Sequence, residues 1–318
     1  MVAESEHVLV TGGAGFVGSH LCERLLREGH RVTCMDSFAT SNPDGVAELR
    51  RHNGFTVLEH DVTRPFPDLG DTRLVLHLAS AASPRDYLRL PIETLEAGAL
   101  GTRNALAFAQ RHGARFLLTS TSEVYGDPLE HPQREDYWGN VNPVGPRSVY
   151  DEAKRYAEAL TMAHRRQHGT DVAIARIFNT YGPRMRADDG RMIPNFITQA
   201  LAGEPLTIAG SGNQTRSVCY VDDTVSGLLA LARSTLTGPV NIGNPHELPV
   251  WQVADEIRAL TGTASTVRQV PGAVDDPRRR CPDISMAQKE LGWRPEVTLR
   301  EGLRRTIAWF AAESGAAA

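Results

Sequence analysis

The sequence predicts an α/β fold, a doubly wound parallel sheet followed by a smaller C-terminal lobe, on three observations. Short apolar runs alternate with longer amphipathic segments through residues 1–178, the first run passes straight into a glycine-rich turn, and after Asn179 the rhythm breaks into short pieces separated by Gly and Pro. The 318 residues are 41% hydrophobic and 23% charged, enough apolar material for a full core in two lobes or one large domain.

Residues 7–11, 31–36, 55–61, 74–79, 115–120 and 172–178 are rich in Val, Leu, Ile and Phe, and each reads as a buried strand. Between them, 16–27, 92–112 and 148–168 carry apolar residues at helical spacing. Such alternation requires parallel pairing, right-handed crossovers and helices on both faces. Gly182-Pro183, Gly203-Glu204-Pro205, Gly210-Ser211-Gly212 and Gly243-Asn244-Pro245 then punctuate a loop-rich second lobe. Ligands are expected at the carboxyl ends of the strands.

A formal net charge of −4 offers no broad basic field, so nucleic acid is not an expected partner and a small phosphorylated ligand fits better. Cys22, Cys34, Cys219 and Cys281 are scattered, with neither a Cys-x-x-Cys pair nor histidines at zinc spacing; they read as buried thiols in a reducing compartment, with no metal expected. No apolar stretch approaches the ~20 residues of a membrane span, and Glu4, Glu6 and His7 leave no room for the apolar core of a signal peptide. A cytoplasmic protein is the expectation, without a membrane partner.

The glycine-rich turn is Thr11-Gly12-Gly13-Ala14-Gly15-Phe16-Val17-Gly18, with a strand before it and a helix after it. That context is what a dinucleotide-binding, Rossmann-type motif needs: a tight turn, close backbone approach, and a pyrophosphate at the helix N-terminus. Gly12, Gly15, Phe16, Val17 and Gly18 are therefore candidate cofactor-binding residues. Asp36 ends the second strand near the spacing expected of a ribose ligand, and Ser37-Phe38-Ala39-Thr40 bring no cation to offset a 2′-phosphate. NAD is expected rather than NADP. Asp61 and Val62, read as closing the third strand, would reach the adenine.

Tyr150 and Lys154, four apart on one helix, share a face and can converge on one atom. An ammonium beside the phenol would lower its pKa from about 10 towards the range of a base. Thr121, just past the fifth strand, would hold the same carbinol oxygen.

A Thr-Gly-x-x-Gly-x-x-Gly opening, a strand-end threonine and Tyr-x-x-x-Lys, in this order, resemble the extended short-chain dehydrogenases/reductases over nearly the whole chain. The likeness sharpens in Ser120-Thr121-Ser122-Glu123-Val124-Tyr125-Gly126-Asp127, Glu135-Asp136-Tyr137-Trp138-Gly139, Tyr150-Asp151-Glu152-Ala153-Lys154 and Arg176-Ile177-Phe178-Asn179-Thr180-Tyr181-Gly182-Pro183-Arg184, which together resemble UDP-glucuronate decarboxylases, the UDP-xylose synthases.

This resemblance implies a UDP-sugar substrate that is oxidised at carbon 4, loses carbon dioxide and is re-reduced with recycled NAD. It implies an NAD-binding domain over 1–178 with a segment near 217–242 returning to it, and a nucleotide-sugar-binding lobe over 179–318. Thr121, Ser122, Glu123, Tyr150 and Lys154 become catalytic, and Leu78 and Ser80 join the cofactor set. Asn179, Arg184, Asn195, Arg216 and Arg280 become substrate-binding around the nucleotide diphosphate. Arg278 and Arg279 read as solvated residues, Asp283 as a helix N-cap, and Trp251, Trp293 and Trp309 as core.

Sugar-nucleotide 4,6-dehydratases carry an aspartate where Ser122 stands, and 4-epimerases usually lack an acid at Glu123, so the triplet points beyond epimerisation. Glu123 would either destabilise the charged substrate or handle protons through Ser122. A nucleotide-sugar 4-epimerase is the alternative within the enzymes, and a non-catalytic nucleotide-binding module the alternative outside them. The resemblance also implies a homodimer built on 92–112 and 148–168. One departure concerns Glu96 and Gly98, where relatives typically carry lysine and asparagine; the reading adopted turns Glu96 to solvent, with Arg85 or Arg103 supplying positive charge.

Overall fold

The structure, a computed structural model, describes residues 5–272 and 279–316. The first part of the chain runs β1 (His7–Thr11), α1 (Phe16–Arg27), β2 (Arg31–Asp36), β3 (Phe55–Glu59), β4 (Thr72–His77), α2 (Pro84–Arg89), α3 (Pro91–Glu96), a π-helical turn (Ala97–Gly101), α4 (Thr102–His112), β5 (Arg115–Thr121), α5 (Ser148–His168) and β6 (Val172–Ile177). There follow β7 (Thr180–Tyr181), α6 (Met192–Leu201), β8 (Leu206–Ala209), β9 (Thr215–Ser217), β10 (Cys219–Tyr220), α7 (Val221–Arg233), β11 (Val240–Ile242), β12 (Glu247–Pro249), α8 (Val250–Thr261), β13 (Val267–Val270), α9 (Ser285–Leu291) and α10 (Leu299–Ala316).

Seven strands form a wholly parallel sheet in the order β11-β6-β5-β4-β1-β2-β3. The order reverses beside β1, which opens a crevice at the carboxyl ends of β1 and β4. Period-2 alternation sends Val8 and Val10 into one core and Leu9 into the other, so both faces of the sheet are covered. On the first face Leu21, Cys22, Leu25 and Leu26 of α1 meet residues of α6, α7 and α8; on the second, Ala105, Phe108 and Ala109 of α4 pack on Val75, Phe116 and Leu118. β11 returns from beyond β10 to pair with β6. The remaining strands form three small pairs, β7 with β10, β9 with β12 and β8 with β13.

Four local expectations are corrected. The third strand stops at Glu59 rather than Asp61, because the Asp61 carboxylate accepts hydrogen bonds from the Thr63 amide and hydroxyl, both 2.9 Å, and turns the chain. Segment 92–112 is two helices joined by the π turn, preceded by the short α2. Trp293 is buried and donates to the Asp223 carbonyl and the Ser226 hydroxyl, but Trp251 is 45% exposed and Trp309 only packs at the margin. The N-cap expected at Asp283 is also corrected: Ile284 holds the cap position, and Asp283, one residue earlier, accepts from the Ser285 amide at 2.8 Å as an Asx turn leading into α9.

Candidate active site

The cofactor end is shaped by two glycines. Gly12 has φ +69°, and a Cβ on it would lie 2.8 Å from the Ala79 amide nitrogen; one on Gly18 would lie 2.2 Å from the Gly12 carbonyl oxygen. Side chains there would fill the cradle and push α1 off the turn. The helix has no acidic residue in its first turn, so its free amides and dipole are left to an anion such as a pyrophosphate.

Asp36, buried at the end of β2, accepts from the Ala14 amide (3.0 Å), the Phe38 amide (2.9 Å) and the Ser41 hydroxyl (2.8 Å). Its carboxylate thus ties the glycine turn to the following loop, and with about four acceptor positions it retains capacity for a ribose hydroxyl. The nearby Arg186 donates to the Thr40 carbonyl (2.6 Å), but its charge is matched by Asp86 (3.0 Å) and Asp188 (3.3 Å), which leaves a 2′-phosphate without a dedicated cation. The buried Ser80 hydroxyl has no hydrogen-bond partner, as expected of a group that serves a ligand. These features fit NAD.

A cleft of about 820 Å3 runs over the carboxyl ends of the strands. Gly12, Gly15, Phe16, Val17, Gly18, Asp36, Asp61, Val62, Leu78 and Ser80 line one end of the sequence-predicted set, with Thr121, Ser122, Glu123, Tyr150 and Lys154, and with Asn179, Arg184, Asn195, Arg216 and Arg280. The fold therefore brings every predicted site residue to one cavity, although not always in the predicted environment.

Tyr150 and Lys154 are buried on the inner face of α5. The Lys154 ammonium donates to the Thr119 carbonyl at 2.9 Å and lies 5.9 Å from the Tyr150 ring centre. Burial pushes the lysine down to about 8, and burial pushes the Tyr150 phenol up to about 12, while the Arg191 charge and a hydrogen bond from Thr121 pull the phenol back. The expectation of a lowered phenol pKa is corrected: burial outweighs the Arg191 charge and the Thr121 hydrogen bond, and the Lys154 ammonium is held to a backbone carbonyl instead of the hydroxyl. Thr121, at the end of β5, also accepts from the Glu123 amide (3.2 Å) and starts the 3-10 turn Ser122–Tyr125.

Glu123 is clasped by two arginines. Arg280 reaches both of its oxygens, with Nη2 to Oε2 at 2.9 Å, and Arg147, at the head of α5, donates to Oε2 at 2.7 Å. Burial alone would raise this carboxyl, but the Arg280 and Arg147 charges and hydrogen bonds win and hold it at about 2. Arg280 thus stands at the chemical end of the cleft. Arg184 lines the cleft but pairs with Glu23 of α1 at 2.7 Å; Arg216 donates to the Thr215 carbonyl at 2.8 Å. Asn195 lies in the first turn of α6 and Asn179 just past β6, both half-buried. Arg279 is exposed, and Arg278 lies outside the described residues.

Among the cleft residues that sequence reasoning missed, Tyr87, Arg147, Arg186 and Arg191 bear on the chemistry. Tyr87 stacks on Tyr150, and Arg191 donates to the Ala82 carbonyl at 2.7 Å. The signal for Tyr87 was present: Ser83 followed by Pro84 is a helix start, and the Ser83 hydroxyl does accept from the Asp86 amide. The arginines carried no local signal.

The match that decides the family spans most of the chain: the model of the NAD dependent epimerase/dehydratase family covers residues 8–243. The chain belongs to that family. Its cofactor is NAD. Among curated relatives, the zebrafish (Danio rerio) UDP-glucuronic acid decarboxylase 1 is 50% identical over 310 residues, 98% of this chain and 74% of the relative. UDP-glucuronic acid decarboxylase 6 of Arabidopsis thaliana is 52% identical over 297 residues, 93% of this chain and 86% of the relative. Among solved structures of the same fold, an epimerase from Methanothermobacter thermautotrophicus superposes with a TM-score of 0.90 at 28% identity, covering 98% of this chain and 94% of that one. The Bacillus cereus UDP-glucuronic acid 4-epimerase, in complex with UDP-glucuronic acid and NAD, gives 0.85 at 28%, covering 96% and 99%.

Proposed function

We propose that this enzyme decarboxylates UDP-glucuronate to UDP-xylose within one closed redox cycle. The reading is carried by identity at half the residues, over nearly the entire chain, to UDP-glucuronic acid decarboxylases, against 28% to a 4-epimerase acting on UDP-glucuronic acid. The epimerase alternative is not favoured.

When bound, NAD would supply a two-electron acceptor that later gives the electrons back. Tyr150 removes the proton from the carbon 4 hydroxyl, with Thr121 holding the same oxygen, and carbon 4 becomes a ketone. The product is a β-keto acid, whose carbon 5 to carboxyl bond breaks with its electron pair passing into the ketone; carbon dioxide leaves and an enolate remains. Tyr150 and Thr121 stabilise that oxyanion by donating to it. A proton taken from solvent then adds at carbon 5, which balances the loss of the carboxylate as carbon dioxide, and Tyr150 returns its proton to the oxygen at carbon 4 as that carbon is reduced. Lys154, fixed on the Thr119 carbonyl, orients the cofactor side of the site. Glu123 is held ionised, so it acts as an anion and acceptor rather than as an acid, next to the place where a substrate carboxylate must lose its charge.

Two finer points belong to the same reading. Leu88, Ile92 and Leu95 on α2 and α3, and Tyr156 on α5, are 55%, 62%, 37% and 50% exposed on adjoining helices and suit a homodimer. Buried free thiols suit the cytoplasm; among the described residues, no helix is long and apolar enough to cross a membrane. Following the nicotinamide absorbance during turnover tests the cycle: UDP-xylose forms while NADH does not accumulate, and stoichiometric NADH release overturns it. Sedimentation showing only monomer at micromolar concentration defeats the dimer.

A further inference from the structure

Three side chains far apart in sequence meet outside the cleft. His131 comes from the loop between β5 and α5, Glu247 from β12, and Cys281 from the segment before α9; one ligand atom from each lies within 4.8 Å of the others. His131 Nε2 is 3.1 Å from Glu247 Oε2, and the thiol is buried beneath them. The set is an imidazole, a carboxylate and a thiol, the mixed donors that suit a borderline cation of the zinc class.

Main-chain pairing holds the ligands in place. The fully buried Gln133, two residues past His131, donates its amide to the Cys281 carbonyl (2.9 Å), accepts the Cys281 amide on its side-chain oxygen (2.8 Å) and accepts the Asp283 amide on its carbonyl (2.9 Å). Glu247 is fixed by the Thr215 hydroxyl on its other oxygen and by antiparallel pairing with β9. Directly opposite Glu247, Ser217 is fully buried, with its hydroxyl beside the Cys281 thiol. Donors around a tetrahedral zinc stand about 3.3–3.8 Å apart, given metal–ligand bonds of about 2.0–2.3 Å. The imidazole and the carboxylate already stand 3.1 Å apart, and the thiol, within 4.8 Å of both, needs to close by up to about 1 Å.

We propose that His131, Glu247 and Cys281 form a zinc-class divalent-metal site with a solvent-facing fourth position. A thiolate and a carboxylate balance the two charges of the ion, and the exposed imidazole leaves an entry path. The site is separate from the reaction cleft, but Cys281 directly follows Arg280, the residue that grips Glu123.

Titrating the purified, metal-stripped full-length chain with cobalt(II) tests this, because a thiolate ligand gives a near-ultraviolet charge-transfer band and a tetrahedral site gives intense visible bands. One equivalent is expected to bind with both signatures, and zinc is expected to displace it. Cys281→Ser removes the charge-transfer band, and the surface variant His131→Ala weakens zinc binding by about tenfold or more, while Cys22→Ser leaves both unchanged. A wild-type titration without the charge-transfer band overturns the proposal. So does a folded His131→Ala whose zinc affinity equals that of the wild type, which also decides the matter if Cys281→Ser does not fold.

Discussion

The ring of Tyr87 lies on the ring of Tyr150, 5.4 Å between centres and 10° from parallel, with Tyr87 itself only 2% exposed. The phenol proposed to do the chemistry is thus clamped between α2 and the body of α5. Tyr150→Phe keeps the stack and removes the proton carrier, so turnover falls by roughly a hundredfold or more while UDP affinity barely changes. Tyr87→Ala loses an aromatic pair worth about 0.5–1.5 kcal/mol and lowers kcat by up to about tenfold, whereas Tyr87→Phe is nearly silent. Steady-state kinetics on the three variants, with UDP binding measured separately, check both statements.

Glu123 neutralises Arg280 and part of Arg147 in a buried place, so Glu123→Gln leaves guanidinium charge without its partner. Breaking a buried pair in this way costs about 3–5 kcal/mol, read as a shift in the denaturation midpoint. Because the carboxyl is held at about 2, the wild-type pH profile of kcat is expected to show no Glu123 limb above its ordinary value of 4.5.

Two buried groups tilt the pH dependence of stability in opposite senses. His77, hydrogen-bonded to the Thr11 hydroxyl at 2.8 Å, is pushed from 6.5 to about 3 by burial, then by the Lys154 charge. Its folded value is depressed, so its contribution is complete above 6.5 and is lost as pH falls. Asp151, with one buried oxygen unpartnered, is raised from 3.8 to about 7 by burial and then by Glu123. Its contribution is complete below 3.8 and is lost as pH rises. Between about pH 5 and 6 each difference is most of a proton, a slope of roughly 1 kcal/mol or a little more per pH unit that fades for His77 towards 6.5. Relative to wild type, Asp151→Asn should become less stable as pH drops through this window, and His77→Gln more stable. Urea midpoints across the window measure both slopes, and parallel curves would refute the assignment.

Gly98 and Glu96, the departures from the relatives' pattern, separate physically. A Cβ on Gly98 would meet the Ala153 Cβ at 2.7 Å and the Ala153 carbonyl oxygen at 2.9 Å, so Gly98→Asn must force the π turn away from α5 at an overpacking cost of about 1–3 kcal/mol. Glu96 is exposed at the rim of the cleft. Glu96→Lys is therefore expected to move KM for UDP-glucuronate by less than about tenfold, or ~1.4 kcal/mol.

What could be read in advance was local and periodic. The glycine turn with its flanking β1 and α1, the apolar strands, and the face shared by Tyr150 and Lys154 each follow from a repeat of 2.0 or 3.6 residues and a few turn residues. The Glu123 clasp joins residues 24 and 157 positions apart, and Cys281 reaches His131 across 150, so no local spacing encodes either. Tyr150 illustrates a further limit: the charge four residues along was legible, but the burial that outweighs it belongs to the tertiary structure.

UDP-glucuronate labelled in its carboxyl carbon, incubated with the enzyme and NAD in a sealed vessel, separates decarboxylation from epimerisation. Decarboxylation releases labelled carbon dioxide in equal amount to unlabelled UDP-xylose. Label that stays wholly in the nucleotide sugar, with inversion at carbon 4, would contradict it and make the enzyme an epimerase.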